Sequence, residues 1–298
     1  MNQYKLKTIR VFLFAIFALT LFSCEKAVFD DEPTSEANAN VILRVSSLEQ
    51  IPFNTNDTRA QQDITELCTR LNFVIFDSQG NKVKTLAQKE SDSSFGTASF
   101  TLDEGSYQLV IIAHNSDGTA TVTAADKITF PNNIVSDTFY YYGTLVVGSE
   151  AQTHDLQLRR AVSMFRLTLT APLSSAVHKL KFYYTGGSST FSAVSGYGCV
   201  QSRQTVTLTV GSGQQTFDVF TFPHEESDVL KMTITALDAQ DNAIDERVFE
   251  EVPVTRNQIT RYTGNLFGGS GNGSGNENTS NIRMTADGEW AATNTSQF

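Results

Sequence analysis

Residues 71–77 read LNFVIFD and residues 78–81 read SQGN, so an alternating stretch runs directly into turn residues. Leu71, Phe73 and Ile75 fall on one face of an extended chain, because successive side chains of a strand point to opposite faces. The small polar residues and the glycine that follow favour reversal of the chain. This stretch therefore predicts a β-strand that ends in a tight turn.

The same two-residue period recurs along the rest of the chain. The segments that show it are Val41–Val45, Tyr107–Ala113, Phe139–Val147, Leu156–Leu158, Phe165–Leu169, Leu180–Tyr184, Val206–Val210, Leu230–Ala236 and Ile282–Met284. The alternating apolar residues are even-numbered up to Leu158 and odd-numbered from Phe165 onward, which predicts a break in the strand near Arg160. No long stretch beyond the first 24 residues keeps the 3.6-residue period of a helix. Many short strands separated by turns indicate a β-sandwich or a β-barrel.

Composition and motifs exclude several classes of function. The 298 residues include 32 acidic and 22 basic side chains, and the net charge of −10 argues against a nucleic-acid partner. The chain carries no GxSxG, P-loop or HExxH motif, and its four histidines lack the spacing of metal ligands. The densest ionisable cluster, His224-Glu225-Glu226, is interpreted as a solvated turn. We therefore predict no enzyme activity, no cofactor and no metal site.

The amino terminus predicts export and lipid attachment. Lys5, Lys7 and Arg10 precede an apolar run from Val11 to Phe22, which is too short for a transmembrane helix of about 20 residues but suits a signal peptide. Ser23-Cys24 after this run is typical of a bacterial lipoprotein, so we predict removal of residues 1–23 and acylation of Cys24. An ordinary secretory signal with an incidental cysteine is the alternative.

The remaining chain divides into four predicted parts. Residues 24–39 form an acidic tether, which either directs surface export or serves only as a solvated spacer. Residues 40–150 and 151–298 are predicted as two β-sandwich domains, with the boundary in the polar break after Val147. The second domain includes a Gly/Asn-rich linker at 268–281, which has no apolar side chain, and a terminal strand at 282–290. Cys68 and Cys199 fall in different predicted domains, so we expect two buried free thiols rather than a disulfide.

A run of three tyrosines offers the strongest candidate for carbohydrate binding. Tyr140, Tyr141 and Tyr142 lie in a predicted strand, so Tyr141 faces away from the other two and at least one ring is expected on the surface. Exposed aromatic rings stack on sugars, and packing within the sheet and core is the competing interpretation. Because Trp290 is the single tryptophan of the chain, composition does not favour the glycan-binding hypothesis.

Several segments together resemble the fimbrillins and fimbrial anchor lipoproteins of Bacteroidales. They are the signal ending at Cys24, residues 71–77 with Gly80, residues 102–110 with 113–115, residues 158–162 (LRRAV), residues 253–267 (PVTRNQITRYTGNLF), and the linker with Trp290. Each segment alone is weakly specific, and their order and spacing carry the resemblance. It implies two tandem Greek-key, transthyretin-like β-sandwich domains and a structural role in a surface fimbrium at the outer membrane.

The resemblance also implies assembly by β-strand addition with other fimbrial subunits. Polymerising members are cut after an arginine and release their first strand, an edge strand of the sandwich, which here corresponds to residues 41–48 with Val41, Leu43 and Val45 facing one way. The candidate cleavage site is Arg59, in the polar stretch 54–59, and an ordinary loop arginine is the alternative. Anchor members keep this strand and the lipid, and the sequence leaves open which kind this chain is.

A donated strand is expected from the carboxyl terminus, and its predicted anchors are Ile282, Met284 and Trp290. The same three residues also fit a terminal strand packed on its own domain. The resemblance leaves open a host or bacterial surface ligand, and a surface glycan-binding lipoprotein is the alternative function.

Overall fold

The computed structural model describes residues 39–49 and 64–267, together with the backbone of residues 283–287. Its described part consists of nineteen β-strands, numbered in chain order, one four-residue helix, α1 (Ile64–Leu67), and a 3-10 turn at Pro131–Asn133. No helix in this part is long and apolar enough to cross a membrane. The predicted all-β fold class is confirmed.

The first half of the described chain forms a seven-stranded sheet in the order β3-β2-β5-β8-β9-β1-β4. Its strands are β1 (Val41–Leu48), β2 (Arg70–Phe76), β3 (Lys82–Lys89), β4 (Thr97–Phe100), β5 (Gly105–His114), β8 (Thr138–Val147) and β9 (Gln152–Arg160). The stretch that opens with Leu71 is β2, and it pairs antiparallel with β3 and β5. Both faces of β2 are buried, which makes it a central strand.

This sheet folds over itself into a sandwich. β8 meets β9 only where Phe139 and Tyr140 pair with Arg160 and Arg159. On either side of this narrow contact the two groups of strands enclose one hydrophobic core, since β2 and β5 share it with β1 and β9. Fully buried members of this first core include Val41, Leu43, Phe73, Ile111 and Leu158. Burial of such side chains contributes about 1.5–3 kcal/mol each.

The second half forms two four-stranded sheets that face each other. The sheet β15-β10-β18-β19 contains β10 (Ser163–Leu169), β15 (Thr216–Thr221), β18 (Ile259–Gly264) and β19 (Arg283–Asp287). The sheet β14-β11-β16-β17 contains β11 (Lys179–Thr185), β14 (Gln204–Thr209), β16 (Ser227–Leu237) and β17 (Ala243–Thr255). Phe165 of the first of these sheets and Phe182 and Ile234 of the second belong to one core, which confirms a sandwich here as well.

A small fourth sheet joins residues from both halves of the chain. Its order is β13-β12-β7-β6, and its strands are β6 (Thr121–Ala124), β7 (Lys127–Thr129), β12 (Thr190–Ser192) and β13 (Tyr197–Gly198). Ile128 and Phe191 of this sheet pack with Val110 of β5 and with Val162 in a separate core. The two sandwiches are therefore connected by shared sheet and shared apolar packing.

The transition between the two sandwiches lies close to Arg160. β9 ends at Arg160 and β10 begins at Ser163, which confirms the break predicted from the change in parity. β9 follows the predicted domain boundary at residues 150 and 151, yet it pairs with β1 and β8. The first sheet thus extends to Arg160, and a division into two domains at residue 150 stays a prediction.

Both cysteines of the described residues are free, as expected. Cys68 is fully buried in the first core, and burial raises the pKa of its thiol, so the reactive thiolate is suppressed. Cys199 is exposed, and the prediction that it is buried was wrong. The physical reason is its place immediately after the two-residue strand β13, which lies at the edge of the small sheet.

Candidate functional site

The first strand lies beside the edge of its sheet, not at it. β1 pairs in parallel with β9 along most of its length and antiparallel with β4 from Val41 to Arg44. β4 covers the outer side of β1 only over this first half, because it has four residues. A strand with neighbours on both sides has its backbone groups paired on both sides, so β1 is integrated into the sheet.

The side chains of β1 anchor it in the first core. Val41 and Leu43 are fully buried and Leu48 is nearly so, while Val45 packs against the same core with partial exposure. The pairing with β9 shifts between Val45 and Ser47, which indicates a bulge. This bulge turns Leu48 inward, although strict alternation from Val41 would have turned residue 47 inward.

A group of polar side chains lies at the carboxyl end of β1, where the two sandwiches meet. We call it the junction cluster, and its members are Glu49, Asp137, Arg160, Glu226, Arg256 and Asn257. Arg160 ends β9 and points inward, on the same face as Leu156 and Leu158. Its side chain is 7% exposed and that of Asp137 is 12% exposed, so this pair is almost entirely removed from water.

The Arg160 guanidinium donates three hydrogen bonds to the side chains of Asp137 and Asn257. Its Nε and Nη2 each donate to one carboxylate oxygen of Asp137 at 2.9 Å, and its Nη1 donates to Oδ1 of Asn257 at 3.3 Å. The guanidinium carbon also lies 4.5 Å from the centre of the Phe139 ring. Burial raises the pKa of Asp137, and the positive charge of Arg160 opposes that rise.

Arg256 connects the second sandwich to β1. Its Nη1 donates to the backbone oxygen of Arg160 at 3.0 Å and lies 3.5 Å from Oε2 of Glu49, while its Nε donates to Oε2 of Glu226 at 3.3 Å. Burial lowers the pKa of Arg256, and Glu226 and Glu49 more than reverse this effect. Glu49 Oε2 also accepts from the backbone nitrogen of Arg160 at 3.2 Å.

The junction cluster unites two of the segments that the sequence analysis singled out. Arg160 belongs to the LRRAV segment, and Arg256 and Asn257 belong to the segment 253–267. Asn257 has a positive φ of 59°, and its backbone nitrogen donates to the oxygen of Val162 at 2.8 Å. The structure therefore places these distant segments in contact and adds Glu49 and Asp137, which no motif indicated.

A family model for the fimbrillin-A associated anchor proteins Mfa1 and Mfa2 matches residues 30–291 of the chain. The chain belongs to this family. It is thus a fimbrial protein of the subunit or anchor kind, which confirms the predicted resemblance and function class. Members of the anchor family are structural proteins of a surface fimbrium. A search of curated proteins finds no significant match.

Solved structures that match the chain include fimbrial proteins. The fimbrial anchor protein Mfa2 from Porphyromonas gingivalis is 10% identical, with 85% of this chain and 99% of that chain covered and a TM-score of 0.43. The tip fimbrial protein Mfa3 from the same organism is 9% identical, with 83% and 98% covered and a TM-score of 0.42. A candidate polysaccharide-binding protein from Bacteroides thetaiotaomicron is 11% identical, with 76% and 91% covered and a TM-score of 0.47.

Several predicted site residues of this anchor-family chain lie outside the described residues. They are Cys24, Arg59, Ile282 and Trp290. Met284 lies in β19, where its backbone pairs with Tyr262 at the edge of the sheet. Lipid attachment, cleavage and strand donation by these residues remain predictions.

The three consecutive tyrosines do not form an exposed platform. Tyr140 is 6% exposed and stacks edge-on against Phe191, with ring centres 4.9 Å apart. Tyr141 packs against the first core and Tyr142 against the core shared with the small sheet, each with partial exposure. Tyr140 is therefore too buried to stack on a sugar, while Tyr141 and Tyr142 are only partly exposed.

The cluster at His224 contains a histidine–carboxylate contact and an ion pair. His224 Nδ1 lies 2.9 Å from Oδ2 of Asp228, and Glu226 is engaged by Arg256. Within residues 39–49 and 64–267, no group of three or more His, Cys, Asp or Glu side chains is arranged to hold a metal ion.

Acid is expected to destabilise the fold through His114, which ends β5 and is fully buried. Burial, with a smaller effect of Arg70, lowers its pKa from 6.5 to about 4. The unfolded chain therefore binds a proton that the folded chain excludes as the pH falls below 6.5, and the free energy of unfolding declines until about pH 4. The loss due to His114 should be about 3 kcal/mol.

Urea unfolding of the parent and of His114→Gln at pH 7 and at pH 4 measures this effect. The parent should lose about 3 kcal/mol more than the variant between the two pH values. His178→Gln is the matched control, because His178 is exposed and its replacement should leave the parent's pH dependence intact. An equal loss in the parent and in His114→Gln would contradict the prediction.

Proposed function

We propose that this chain is a surface-exposed fimbrial anchor that keeps its first strand and joins other fimbrial subunits by β-strand addition. The observation that carries this proposal is the position of β1, which is paired on both sides and buries Val41 and Leu43 completely. A chain whose first strand is released would expose this part of the first core to water. The description of the family as anchor proteins supports the same choice.

Strand addition explains how such an anchor could hold a fibre. A sandwich that lacks one strand exposes unpaired backbone groups and an apolar groove, and a strand from another subunit satisfies both. Here the groove of the first sandwich is filled by β1, so the chain accepts no strand there. It donates its terminal strand, residues 282–290, to a partner whose groove is open, with Ile282, Met284 and Trp290 as anchors. β19 supports this role, since it lies at a sheet edge and pairs with β18 alone.

Attachment to the outer membrane completes the proposal. Acylation of Cys24 would place several acyl chains at the amino terminus, and each buried CH₂ contributes about 0.8 kcal/mol to membrane binding. The acidic residues between Cys24 and β1 serve as the tether that holds the folded part away from the bilayer. Because the lipid precedes β1, a chain that stays uncut at Arg59 keeps its folded part covalently joined to the membrane.

Mass spectrometry of the protein isolated from cells tests both parts of the proposal. We expect an acylated amino-terminal Cys24 in the membrane fraction and co-purification with fimbrial subunits. Cys24→Ser should abolish acylation and release the protein from the membrane, while Cys199→Ser is the matched control that should leave both unchanged. A chain that begins at Ala60 would instead indicate a polymerising subunit, and absence from every fimbrial fraction would exclude the anchor role.

A further inference from the structure

The two ends of β1 are held by different means. At the amino end, the Asn40 side chain exchanges two hydrogen bonds with the backbone of Leu102, at 2.7 and 3.0 Å, and its backbone bonds to Phe100 and Gln152. At the carboxyl end, the pairing with β4 stops at Arg44 and the pairing with β9 is interrupted by the bulge, where Val45 N donates to Gly96 O at 2.8 Å and Ser46 Oγ donates to Leu156 O at 3.2 Å. The second half of β1 therefore has fewer ladder bonds than the first half.

At the carboxyl end of β1, Glu49 supplies further hydrogen bonds and ion pairs. Its backbone nitrogen donates to the oxygen of Leu158 at 2.6 Å, and its carboxylate accepts from the backbone nitrogen of Arg160. Two cations face that carboxylate, since Arg256 lies 3.5 Å away and Arg159 lies 4.0 Å away. Side-chain exposure is 28% for Glu49 and 12% for Arg256, so water screens their attraction only in part.

The residues that hold Glu49 are themselves fixed. Arg256 is bonded to Glu226, whose Oε2 also accepts from the hydroxyl of Tyr197 at 3.0 Å. Arg160 is held by Asp137 and Asn257, as described above. Partners that are fixed before Glu49 arrives lose little conformational freedom when they bind it, which strengthens the contact.

We propose that the junction cluster retains β1, with Glu49 as the residue that fastens the strand and Arg256 and Arg160 as its receptors. This inference deepens the anchor role and rests on it for its biological meaning. A competing strand displaces a resident strand most easily from the end with the fewest pairings. The junction cluster closes that end, ten positions before Arg59 in the chain. Even a chain that is cut after Arg59 would then keep β1 in place.

Hydrogen exchange followed by mass spectrometry on the chain from residue 24 to 298 tests the proposal. In Glu49→Ala, we expect the amides of residues 41–48 to exchange about tenfold faster, because a lost charge-assisted hydrogen bond changes a local opening equilibrium by roughly that factor. The amides of β16 should keep the parent rate. Arg256→Met, which preserves the apolar stem of the side chain, should give the same pattern.

Asp218→Ala is the matched control. Asp218 has a similar side-chain exposure of 30%, and it accepts two bonds from Arg166, at 2.7 and 2.8 Å, far along the chain from β1. This variant should leave exchange in residues 41–48 unchanged. An equal acceleration in β1 and β16 would overturn the proposal, because the junction cluster would then stabilise the whole fold. No acceleration in either variant would overturn it as well.

The exchange result is independent of the anchor role. A cell-derived chain that begins at Ala60, or one that never co-purifies with fimbriae, would refute the anchor role while the exchange pattern of the purified protein stood. Conversely, an unchanged β1 in Glu49→Ala would refute retention by the junction cluster and leave the lipid anchor and fimbrial association untouched.

Discussion

Replacement of Leu43 by aspartate is expected to expel β1 from the first sheet and to expose the core beneath it. Leu43 is fully buried among apolar side chains, and a carboxylate there would have no partner for its charge. The free energy of unfolding should fall by more than about 4 kcal/mol, which is the range of an unpaired buried charge. β2 and β5 pair with each other and not with β1, so part of the fold can persist without it.

Urea unfolding and the fluorescence of a hydrophobic dye measure the two consequences. Leu43→Ala, which leaves a cavity but no charge, should cost about 2–5 kcal/mol and bind less dye than Leu43→Asp. Arg44→Asp is the matched control, because Arg44 is exposed on the same strand, and its replacement should stay within about 0.5 kcal/mol of the parent. Parent-like stability and dye binding in Leu43→Asp would show that β1 contributes nothing to the core.

The same variant probes strand addition directly. If Leu43→Asp opens the groove between β9 and β4, a synthetic peptide with the parent sequence of residues 40–49 should bind it and suppress the dye signal. The peptide should leave the parent protein unchanged, because its groove is already occupied. A peptide that fails to bind the opened protein would argue that this groove does not accept strands.

Periodicity predicted the long strands because their side chains alternate over many residues. β2, β5, β10 and β16 follow directly from runs such as Leu71-Phe73-Ile75. The strands of the small sheet, at two to four residues each, are shorter than any reliable period, and so is β4. Because no sequence pattern predicted β4, β1 was predicted to lie at the sheet edge. The structure places β1 one strand inward, beside β4.

The candidate site was predictable only in part. Arg160 falls on the same face of its strand as Leu156 and Leu158, so alternation places an arginine in the core. A buried cation requires a partner. The sequence did not identify that partner, because Asp137 lies 23 positions away in a loop with no distinctive motif. Glu49 had no signal either, since its role depends on the end of β1 meeting residues from the second sandwich.

Removal of the Arg160 charge is expected to cause the second large loss in the free energy of unfolding. In Arg160→Gln, the Asp137 carboxylate stays buried but loses its two guanidinium bonds, and breaking such a pair costs about 3–5 kcal/mol. Arg166→Gln is the matched control, since Arg166 forms the same two-bond contact with Asp218 in a more exposed position. That variant should lose at most about 1 kcal/mol. Urea unfolding at pH 7 compares the two.

The effect of the unpaired Asp137 charge can be separated from the effect of lost packing by also removing the Asp137 charge. Asp137→Asn in the Arg160→Gln background leaves no uncompensated charge, so most of the lost stability should return. The deficit of Arg160→Gln should also shrink as the pH falls. Burial raises the pKa of Asp137, and without Arg160 only the hydrogen bond from the Thr138 backbone opposes that rise, so the folded form takes up a proton more readily than the unfolded form. A deficit that is equal at pH 5 and pH 8 and persists in the double variant would assign the role of Arg160 to packing against Phe139 rather than to its charge.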